Sequence, residues 1–446
     1  MNIKKYQKIL KKSEQLLKTA DKTCGLFEGS EVFTSVTAYV TAPVLFCYVR
    51  QILKTAQKKG IKRIYFLARD GYVMKKIAEI ICEKQNIDMD CRYLYCSRYV
   101  LKNALYYLCD TAEDFEKAGL FGRCAGQSAL NTLSRAGLTE EERRKIYDDI
   151  GFHEDENKVM DNGSFSLFCD SLKKSGVLLS TLKENSKTAY ENTICYFEEQ
   201  GLFDDVPFAL ADTGWLGSIQ SALTDICGDR VKNRIRGFYF GLFRGLDEDR
   251  FIPYLFSGED AHKTVPQFCN NLFECFCAAP HGMTIGYRNT DKGYEPVLKE
   301  QSEAMKSLAE KQIEIITAFA QNVDIPITAE DKTLKGITRK LLIALMYKPQ
   351  KDEAQIIGAF PFCDDATELY ITPLAEKCDK KSLKRLLFPI RMLNKIKGKN
   401  IYPDKGVYWL YGTIALSDAR PKAFYRMSVR LWEKLRLMKE KRNVCR

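Results

Sequence analysis

The most restrictive feature of this chain is a strand–turn–helix–strand pattern in its N-terminal quarter. Residues 61–68 (IKRIYFLA) form a short apolar run that is typical of a buried strand. The turn RDG follows at 69–71, residues 72–84 have helical periodicity, and residues 91–97 (CRYLYCS) predict a second strand. Two strands joined through a helix lie parallel in one sheet. The sequence therefore predicts an α/β fold whose binding sites lie at the carboxyl ends of the strands.

The sheet is predicted to resume after a long helical stretch. Residues 206–211 (VPFALA) read as a buried strand, residues 218–225 as a helix and residues 236–243 as a further strand. Charged stretches with helical periodicity fill the interval between the two halves of the sheet. The predicted divisions are an N-terminal helix (1–34), the first half of the core (35–101), a helical insertion (102–204), the second half of the core (205–300), a helical region (301–379) and basic C-terminal helices (380–446).

The segment DTGWLGS at residues 212–218 has the composition of an anion-binding turn. Its two glycines allow backbone N–H groups to converge on an anion, and the N-terminus of the next helix adds partial positive charge. Thr213 and Ser218 add hydroxyl donors, with Ser218 as the expected N-cap, and Asp212 can accept sugar hydroxyls or bind Mg²⁺. The competing interpretation is an ordinary strand-to-helix turn with a serine cap.

Two other polar groups are expected at the same edge of the sheet. Arg69, at the end of the first strand, can face a phosphate, and Asp70 can bind a metal or support Arg69. Residues 97–99 (SRY) end the next strand and place Arg98 there as well. An Arg–Asp surface pair is common by itself. Three polar strand ends at one edge favour a binding site, because sites in parallel sheets lie there.

Several runs of residues resemble known proteins. IYFLARDGYVMKKIAEII, YLYCSRYVL and FALADTGWLGSIQSAL together resemble the type I phosphoribosyltransferase arrangement. NNLFECFCAAPHGMTIGY and GVYWLYGTIALS are similar to proteins of bacterial surface-polysaccharide gene clusters, which are often fused to a haloacid-dehalogenase-type phosphatase. The similarity covers residues 35–415. It implies a Rossmann-like, type I phosphoribosyltransferase-like core with a large helical insertion and a helical C-terminal region.

The resemblance also implies a reaction. A 5-phosphoribosyl group would pass from phosphoribosyl diphosphate to a glycan acceptor, with Mg²⁺ as cofactor, and a separate phosphatase would then remove the phosphate. Arg69, Asp70 and Gly71 would bind the diphosphate, with Arg98 nearby. Asp212 would contact the ribose hydroxyls or, together with Asp70, the Mg²⁺. The residues that would bind the 5-phosphate are Thr213, Gly214, Gly217 and Ser218.

The sequence departs from the motifs of these families in two places. The usual phosphoribosyltransferase loop has two adjacent acids before Thr-Gly, whereas Asp212 alone precedes Thr213 here. No Asp-x-Asp motif follows a predicted strand, so the phosphatase module is not predicted in this chain. A haloacid-dehalogenase-like hydrolase and a noncatalytic assembly protein of a polysaccharide locus remain the alternative functions.

Transfer to a hydroxyl also needs a general base. Asp70, Asp212 and His281 are the candidates, and His281 follows Pro280 in a turn-like segment. A histidine that merely bonds to backbone is the competing interpretation of His281. Trp215 can either stack on a sugar or pack the turn against the sheet.

The basic charge of the chain is concentrated at its C-terminus. Residues 380–446 contain 19 Lys and Arg but 4 Asp and Glu, whereas the whole chain has a formal net charge of +11. Residues 421–446 combine basic and aromatic side chains, as do helices that bind a membrane surface. A lipid-linked acceptor fits that interpretation, and a helix docked on the protein body is the alternative. Nucleic acid is not an expected partner, because the basic segment is terminal and separate from the predicted donor site.

The remaining features favour a cytoplasmic enzyme. No signal peptide is recognised, and the most apolar segment, residues 38–49, is shorter than the ~20 residues that span a bilayer. The sixteen cysteines are scattered through the chain, which indicates reduced thiols. We therefore expect the chain in the cytoplasm, or at the inner face of the membrane if its tail binds lipid.

Overall fold

The central sheet has five strands, and all of them are parallel. The structure is a computed structural model and describes residues 2–28, 31–122, 127–363, 371–397 and 407–444. The strands are β1 (Arg63–Leu67), β2 (Asp90–Leu94), β3 (Phe208–Trp215), β4 (Gly237–Leu242) and β5 (Phe251–Phe256). Their order is β2-β1-β3-β4-β5. The predicted α/β class with a parallel sheet is confirmed.

Helices account for most of the rest of the described chain. Before and within the first half of the sheet they are α1 (Lys4–Leu10), α2 (Glu14–Leu26), α3 (Glu31–Val36), α4 (Ala42–Lys58) and α5 (Gly71–Gln85). Between β2 and β3 they are α6 (Arg98–Leu105), α7 (Ala112–Lys117), α8 (Ala129–Ser134), α9 (Glu140–Ile150), α10 (Asn162–Leu172) and α11 (Gly176–Glu199). After β3 they are α12 (Ser218–Cys227), α13 (Gly258–Thr264), α14 (Asn270–Phe276), α15 (Glu303–Asn322), α16 (Asp331–Met346), α17 (Lys351–Gly358), α18 (Lys380–Lys384), α19 (Phe388–Ile396), α20 (Leu410–Leu416) and α21 (Lys422–Val444).

Both faces of the sheet are buried under helices. Because side chains alternate along each strand, successive residues point into two different cores. Ile64 and Phe66 point into a large core that includes residues of α4, α5, α15 and α16. Tyr65 and Leu67 point into a second core with residues of α6, α11 and α12. Helices on both faces explain why the strands read as nearly continuous apolar runs.

The N-terminal region is not the single helix predicted for residues 1–34. Ser13 separates α1 from α2 and caps α2 by accepting a hydrogen bond from the Leu16 N–H. A π-helical turn (Thr37–Thr41) joins α3 to α4, so one helix runs from Glu31 to Lys58. This helix is long and apolar enough to cross a membrane, but 89% of its apolar window is buried inside the protein. A buried core helix has the same length and composition.

The insertion between β2 and β3 has a hydrophobic cluster of its own. Residues of α7, α8, α9 and α10 pack together around Phe115, Leu133, Ile146 and Phe168. The N-terminal part of α11 closes this cluster, and the C-terminal part of α11 packs beside the sheet. The helix α11 therefore connects the insertion to the core.

Two short antiparallel sheets complete the fold. The hairpin of β6 (Thr284–Thr290) and β7 (Gly293–Leu298) packs against α11, and a two-residue pair joins β8 (Pro361–Phe362) to β9 (Thr372–Pro373). The Ser97 hydroxyl donates a hydrogen bond of 2.6 Å to the Thr284 carbonyl, which ties the hairpin to the carboxyl end of β2. Both small sheets thus lie near the edge of the central sheet where the strands end.

Candidate functional site

The candidate site lies where the strand order reverses. The chain passes from β1 outward to β2 and then returns to β3 on the other side of β1. Ligands of open parallel sheets bind in the crevice at such a switch point, outside the carboxyl ends of the strands. The two turns predicted from the sequence follow β1 and end β3, so they flank this crevice.

A cavity of about 340 Å³ lies at this position. Most of the predicted site residues line it, and these are Arg69, Asp70, Arg98, Asp212, Thr213, Gly214, Trp215 and Ser218. Gly71, Gly217 and His281 lie outside its lining. The structure thus brings eight of the eleven predicted residues to one cavity.

The residues Asp212, Thr213 and Gly214 belong to β3, which corrects the prediction that they form a loop. Pairing with β4 continues to Trp215, which lies opposite Leu242. Gly214 is required at its position, because a Cβ there would lie 2.2 Å from the Gly241 carbonyl oxygen. The last polar side chains of β3 are therefore fixed by the sheet.

The N-cap of α12 is also different from the prediction. Gly217 occupies the cap position with a left-handed φ of 67°, and Ser218 is the first helical residue. The serine side chain consequently does not cap the helix. Its hydroxyl is exposed at the N-terminus of α12 and lines the cavity. The first N–H groups of a helix have no partner within the helix, so this terminus can bind an anion.

The turn after β1 is short and closely packed. Only Ala68, Arg69 and Asp70 lie between β1 and α5, and the Ala68–Arg69 peptide bond is cis. A Cβ on Gly71 would lie 2.5 Å from the carbonyl carbon of Phe66, so α5 begins in contact with the strand. Gly71 therefore positions Arg69 and Asp70 at the cavity wall.

Thr213 connects the two strand ends. Its hydroxyl donates a hydrogen bond to the Asp70 carboxylate, and its N–H donates one of 2.8 Å to Asp212 Oδ1. The Tyr48 hydroxyl, from the core helix α4, donates a 2.7 Å hydrogen bond to the Asp212 carbonyl. Asp70 and Asp212 thus share a wall of the cavity although 142 residues separate them in the sequence.

The two carboxylates have raised pKa values. Burial raises the pKa of Asp212, and the neighbouring Asp70 raises it further. Burial also raises the pKa of Asp70, while the Thr213 hydroxyl, Arg69 and Arg98 oppose that change. Two adjacent acids that resist ionisation together are typical of functional sites, because a cation or a shared proton relieves their repulsion.

The cavity also offers charge of both signs to a ligand. Arg69 is half-buried and Arg98, the first residue of α6, is exposed, and both line the cavity. Both guanidinium groups lie close enough to Asp70 to lower its pKa. A ligand that carries phosphates and a cation would match this arrangement of two arginines, two carboxylates and a helix N-terminus.

The carboxylate pair suits Mg²⁺ in one specific way. Within the described ranges, no three His, Cys, Asp or Glu side chains form a group that could bind a metal by themselves. Mg²⁺ commonly takes one or two carboxylates and completes its shell with water and substrate phosphates. Asp70 and Asp212 fit that mode of binding, whereas a protein-only metal site does not arise from the residues described.

Comparison with known proteins adds no identification. No model of a known protein family matches the chain, and no curated protein sequence is significantly similar to it. The residues of the cavity are therefore the basis for assigning a function.

Trp215 lies between the cavity and an aromatic core. Its ring is 8% exposed and stacks on Phe243 at 5.6 Å between ring centroids. Its Nε1–H donates a 2.7 Å hydrogen bond to Glu274 of α14. Most of the ring packs the end of β3 against the core. Only the small part of the ring that lines the cavity could stack on a sugar.

His281 lies next to the cavity in a cluster of tyrosines. Its Nε2 is 2.8 Å from the Tyr93 hydroxyl, and its Nδ1 is 2.8 Å from the Gly282 carbonyl. Because a carbonyl can only accept, Nδ1 carries the proton and Nε2 accepts from Tyr93 when the ring is neutral. Burial lowers the pKa of His281, and Arg69 lowers it further. Its ring also contacts Tyr72 and Tyr95.

The other wall of the cavity contains none of the eleven predicted site residues. It is built by segments far along the chain, with polar groups from Asn270, Glu274 and Gln301 and apolar side chains from Met283, Met305, Phe362 and Ile371. Glu274 also contributes to raising the pKa of Asp212. One side of the cavity thus carries the two arginines and the two aspartates, and the other combines polar side chains with apolar ones.

Proposed function

We propose that this protein is a phosphoribosyltransferase-like glycosyltransferase. It transfers a 5-phosphoribosyl group from phosphoribosyl diphosphate to a hydroxyl of a glycan acceptor. The observation that carries the proposal is the junction at Thr213. It brings the turn proposed for the diphosphate and the segment proposed for the ribose phosphate into one cavity at the switch point of a parallel sheet. A Rossmann-like core of the type I phosphoribosyltransferase kind is part of the same proposal.

The two ends of the donor have separate binding groups. The N-terminus of α12, with the hydroxyl of Ser218, binds the 5-phosphate, while the Thr213 hydroxyl stays bonded to Asp70. Arg69 and Arg98 bind the diphosphate, because a guanidinium group can donate two hydrogen bonds to phosphate oxygens. The ribose then lies between these groups, beside Asp212.

We infer that Asp70, in the turn after β1, acts as the second acid that the sequence motif lacks. Phosphoribosyltransferase loops have two adjacent acids, whereas β3 has Asp212 alone. In the structure Asp70 of the neighbouring turn is bonded to Thr213, so two carboxylates still face the cavity. We assign Asp70 and Asp212 as the residues that would bind Mg²⁺ together with the donor, as their chemistry allows.

Catalysis needs charge stabilisation more than covalent chemistry. Departure of diphosphate from ribose develops negative charge on the leaving group, and Mg²⁺ would neutralise part of that charge. Arg69 stabilises the remainder through its guanidinium group. The ionised carboxylate of Asp212 stabilises the positive charge that develops on the ribose ring, and a carboxylate of the pair accepts the proton of the attacking hydroxyl.

The test is release of diphosphate from phosphoribosyl diphosphate in the presence of Mg²⁺ and a panel of glycan acceptors. We expect acceptor-dependent release of diphosphate, reduced at least about tenfold in both Arg69→Ala and Asp212→Asn. Absence of diphosphate release with every acceptor, together with no binding of the donor, contradicts the proposal. Release of inorganic phosphate from the donor or from a simple phosphate ester instead identifies the hydrolase alternative.

A further inference from the structure

The exposed apolar side chains of this protein are concentrated on two C-terminal helices. Half of the large apolar side chains that the described residues expose belong to α19 and α21. On α21 these are Phe424, Met427, Leu431, Leu435 and Met438, exposed by 42–65%. On α19 they are Met392, Leu393 and Ile396, exposed by 50–72%. Such concentrations mark interaction surfaces, because single exposed apolar residues are normally scattered.

The five residues on α21 form one stripe. At 3.6 residues per turn, their positions fall within an arc of about 80°. The opposite side of the helix is already used, since Tyr425, Val429 and Trp432 are buried against the protein. Docking of α21 on the body therefore leaves the stripe, here called the α21 apolar stripe, facing solvent.

Contacts between α19 and α21 make the two helices one unit. The guanidinium group of Arg391 lies over the Trp432 ring at 4.8 Å, and it forms an ion pair of 3.7 Å with Glu433. The Phe388 N–H donates a hydrogen bond to the Ser428 hydroxyl. The apolar residues of both helices are thus presented on a folded support.

Charge decides which partner fits this surface. Exposed basic residues accompany the apolar ones, for example Lys395 and Lys434, while Glu433 is paired with Arg436 at 2.9 Å and with Arg391. Residues 380–446 carry 19 basic against 4 acidic residues. A second copy of the chain would present the same positive charge, which disfavours self-association, whereas anionic lipid headgroups are complementary to it.

We propose that α19 and α21 bind the anionic surface of a lipid bilayer. The α21 apolar stripe inserts among the headgroups, and the basic side chains contact the lipid phosphates. This surface is separate from the residues that line the cavity, so the proposal is independent of the donor chemistry. Under the proposed function, this binding would also bring the protein to acceptors that are anchored in lipid.

Vesicle flotation with the full-length protein tests this proposal. Vesicles are made of phosphatidylcholine alone or with ~30% phosphatidylglycerol, and the salt concentration is varied. The test variant is Met427→Gln/Leu431→Gln/Leu435→Gln. The matched control, Leu108→Gln/Val159→Gln/Leu167→Gln, changes three aliphatic side chains exposed by 43–71% elsewhere on the molecule.

We expect the wild-type protein to bind the anionic vesicles only, and we expect salt to weaken this binding. The affinity for these vesicles should fall at least about tenfold in the α21 variant and stay unchanged in the control. The melting temperature should be nearly the same in all three proteins, because the changed side chains are exposed. Equal binding by the α21 variant and wild type, or no binding to either vesicle, overturns the proposal. A dimer by light scattering that becomes a monomer in the α21 variant, without vesicle binding, assigns the surface to a second copy instead.

Discussion

The Thr213 side chain joins the ends of β1 and β3, and the importance of this junction for activity can be tested by substitution. Thr213→Val keeps the shape of the side chain but removes the hydroxyl that donates to Asp70. We expect acceptor-dependent turnover to fall at least about tenfold, because the carboxylate pair loses its fixed geometry. The control is Thr224→Val, which removes a hydroxyl that bonds only within α12. Equal activity of both variants would show that the junction is structural.

Asp212 permits a prediction about pH and stability. Burial and Asp70 raise its folded-state pKa above the value of an unfolded aspartate. The folded protein therefore binds more protons than the unfolded chain, and this group lowers the stability as the pH rises between the two pKa values. In metal-free buffer, Asp212→Asn should be more stable than wild type by about 1 kcal/mol or more near pH 9.

The difference should vanish below about pH 3, where the aspartate is protonated in both the folded and the unfolded state. Thermal unfolding across this range provides the measurement, with the exposed Asp148→Asn as control. A constant difference at every pH would mean that Asp212 is not a strained carboxylate. Stability gained by removing a polar group is typical of functional sites, where residues are placed for ligands.

At the scale of elements, the contact between α5 and β1 can be tested with a pair of glycines. Gly71→Ala places a methyl group 2.5 Å from the backbone of Phe66 and must displace the helix. We expect a loss of about 1–3 kcal/mol in the free energy of unfolding. In Gly336→Ala the methyl group meets nothing within 4 Å inside α16, so that change should add about 0.5–1 kcal/mol. Denaturant unfolding of both variants distinguishes these outcomes.

Gly71→Ala should also lower the affinity for the donor, because Arg69 and Asp70 move with the start of α5. A variant that retains wild-type stability would contradict the close packing of this turn. A destabilised variant that retains full donor affinity would show that the position of this turn does not affect donor binding.

The elements show which parts of the fold the sequence predicts well. Four of the five strands of the central sheet are predicted, because runs such as IYFL and FALA are buried on both faces and read as continuous apolar segments. β5 is missed: it begins with half-buried residues and contains Pro253, which is tolerated in an edge strand. The end of β3 is misplaced because Asp212 and Gly214 look like turn residues, although pairing with β4 keeps them in the sheet.

The sequence predicts the wall of the cavity that is formed by the strand ends, but not the opposite wall, for a physical reason. Residues that follow strands are recognisable from local sequence, since the carboxyl edge of a parallel sheet is where ligands bind. Asn270, Glu274 and Met305 reach the cavity through tertiary packing of α14 and of the start of α15. No periodicity marks such residues, although Asn270 and Glu274 fall in the run NNLFECFCAAPHGMTIGY that resembles known proteins. The strand order, which places Asp70 beside Asp212, is likewise a long-range property.

For the whole molecule, Arg50 joins the buried helix α4 to the segment before α16. It is 1% exposed and donates to the carbonyls of Pro326, Ile327 and Ala329 and to the Asp331 carboxylate. Arg50→Met would leave these acceptors without their buried donor, and we expect a loss of about 3 kcal/mol in unfolding free energy. Lys54→Met, which removes a more exposed partner of Asp331, should cost less than ~1 kcal/mol.

Thermal unfolding of the purified variants measures this difference. A large effect of Arg50→Met supports the interpretation of α4 as a core helix whose charged group is satisfied within the protein. Equal effects of the two substitutions would contradict it.

In the proposed function one cavity binds both ends of phosphoribosyl diphosphate, and calorimetric titration of the protein with this donor and Mg²⁺ measures that binding. We expect a single site per chain with a Kd between ~1 µM and ~1 mM, the usual range for enzyme substrates. We also expect the affinity to fall at least about tenfold in Arg69→Ala, which loses a contact to the diphosphate, and in Thr213→Val, which loses the bond that holds Asp70 beside Asp212. Absence of binding by the folded wild-type protein, or unchanged affinity in both variants, would contradict the account.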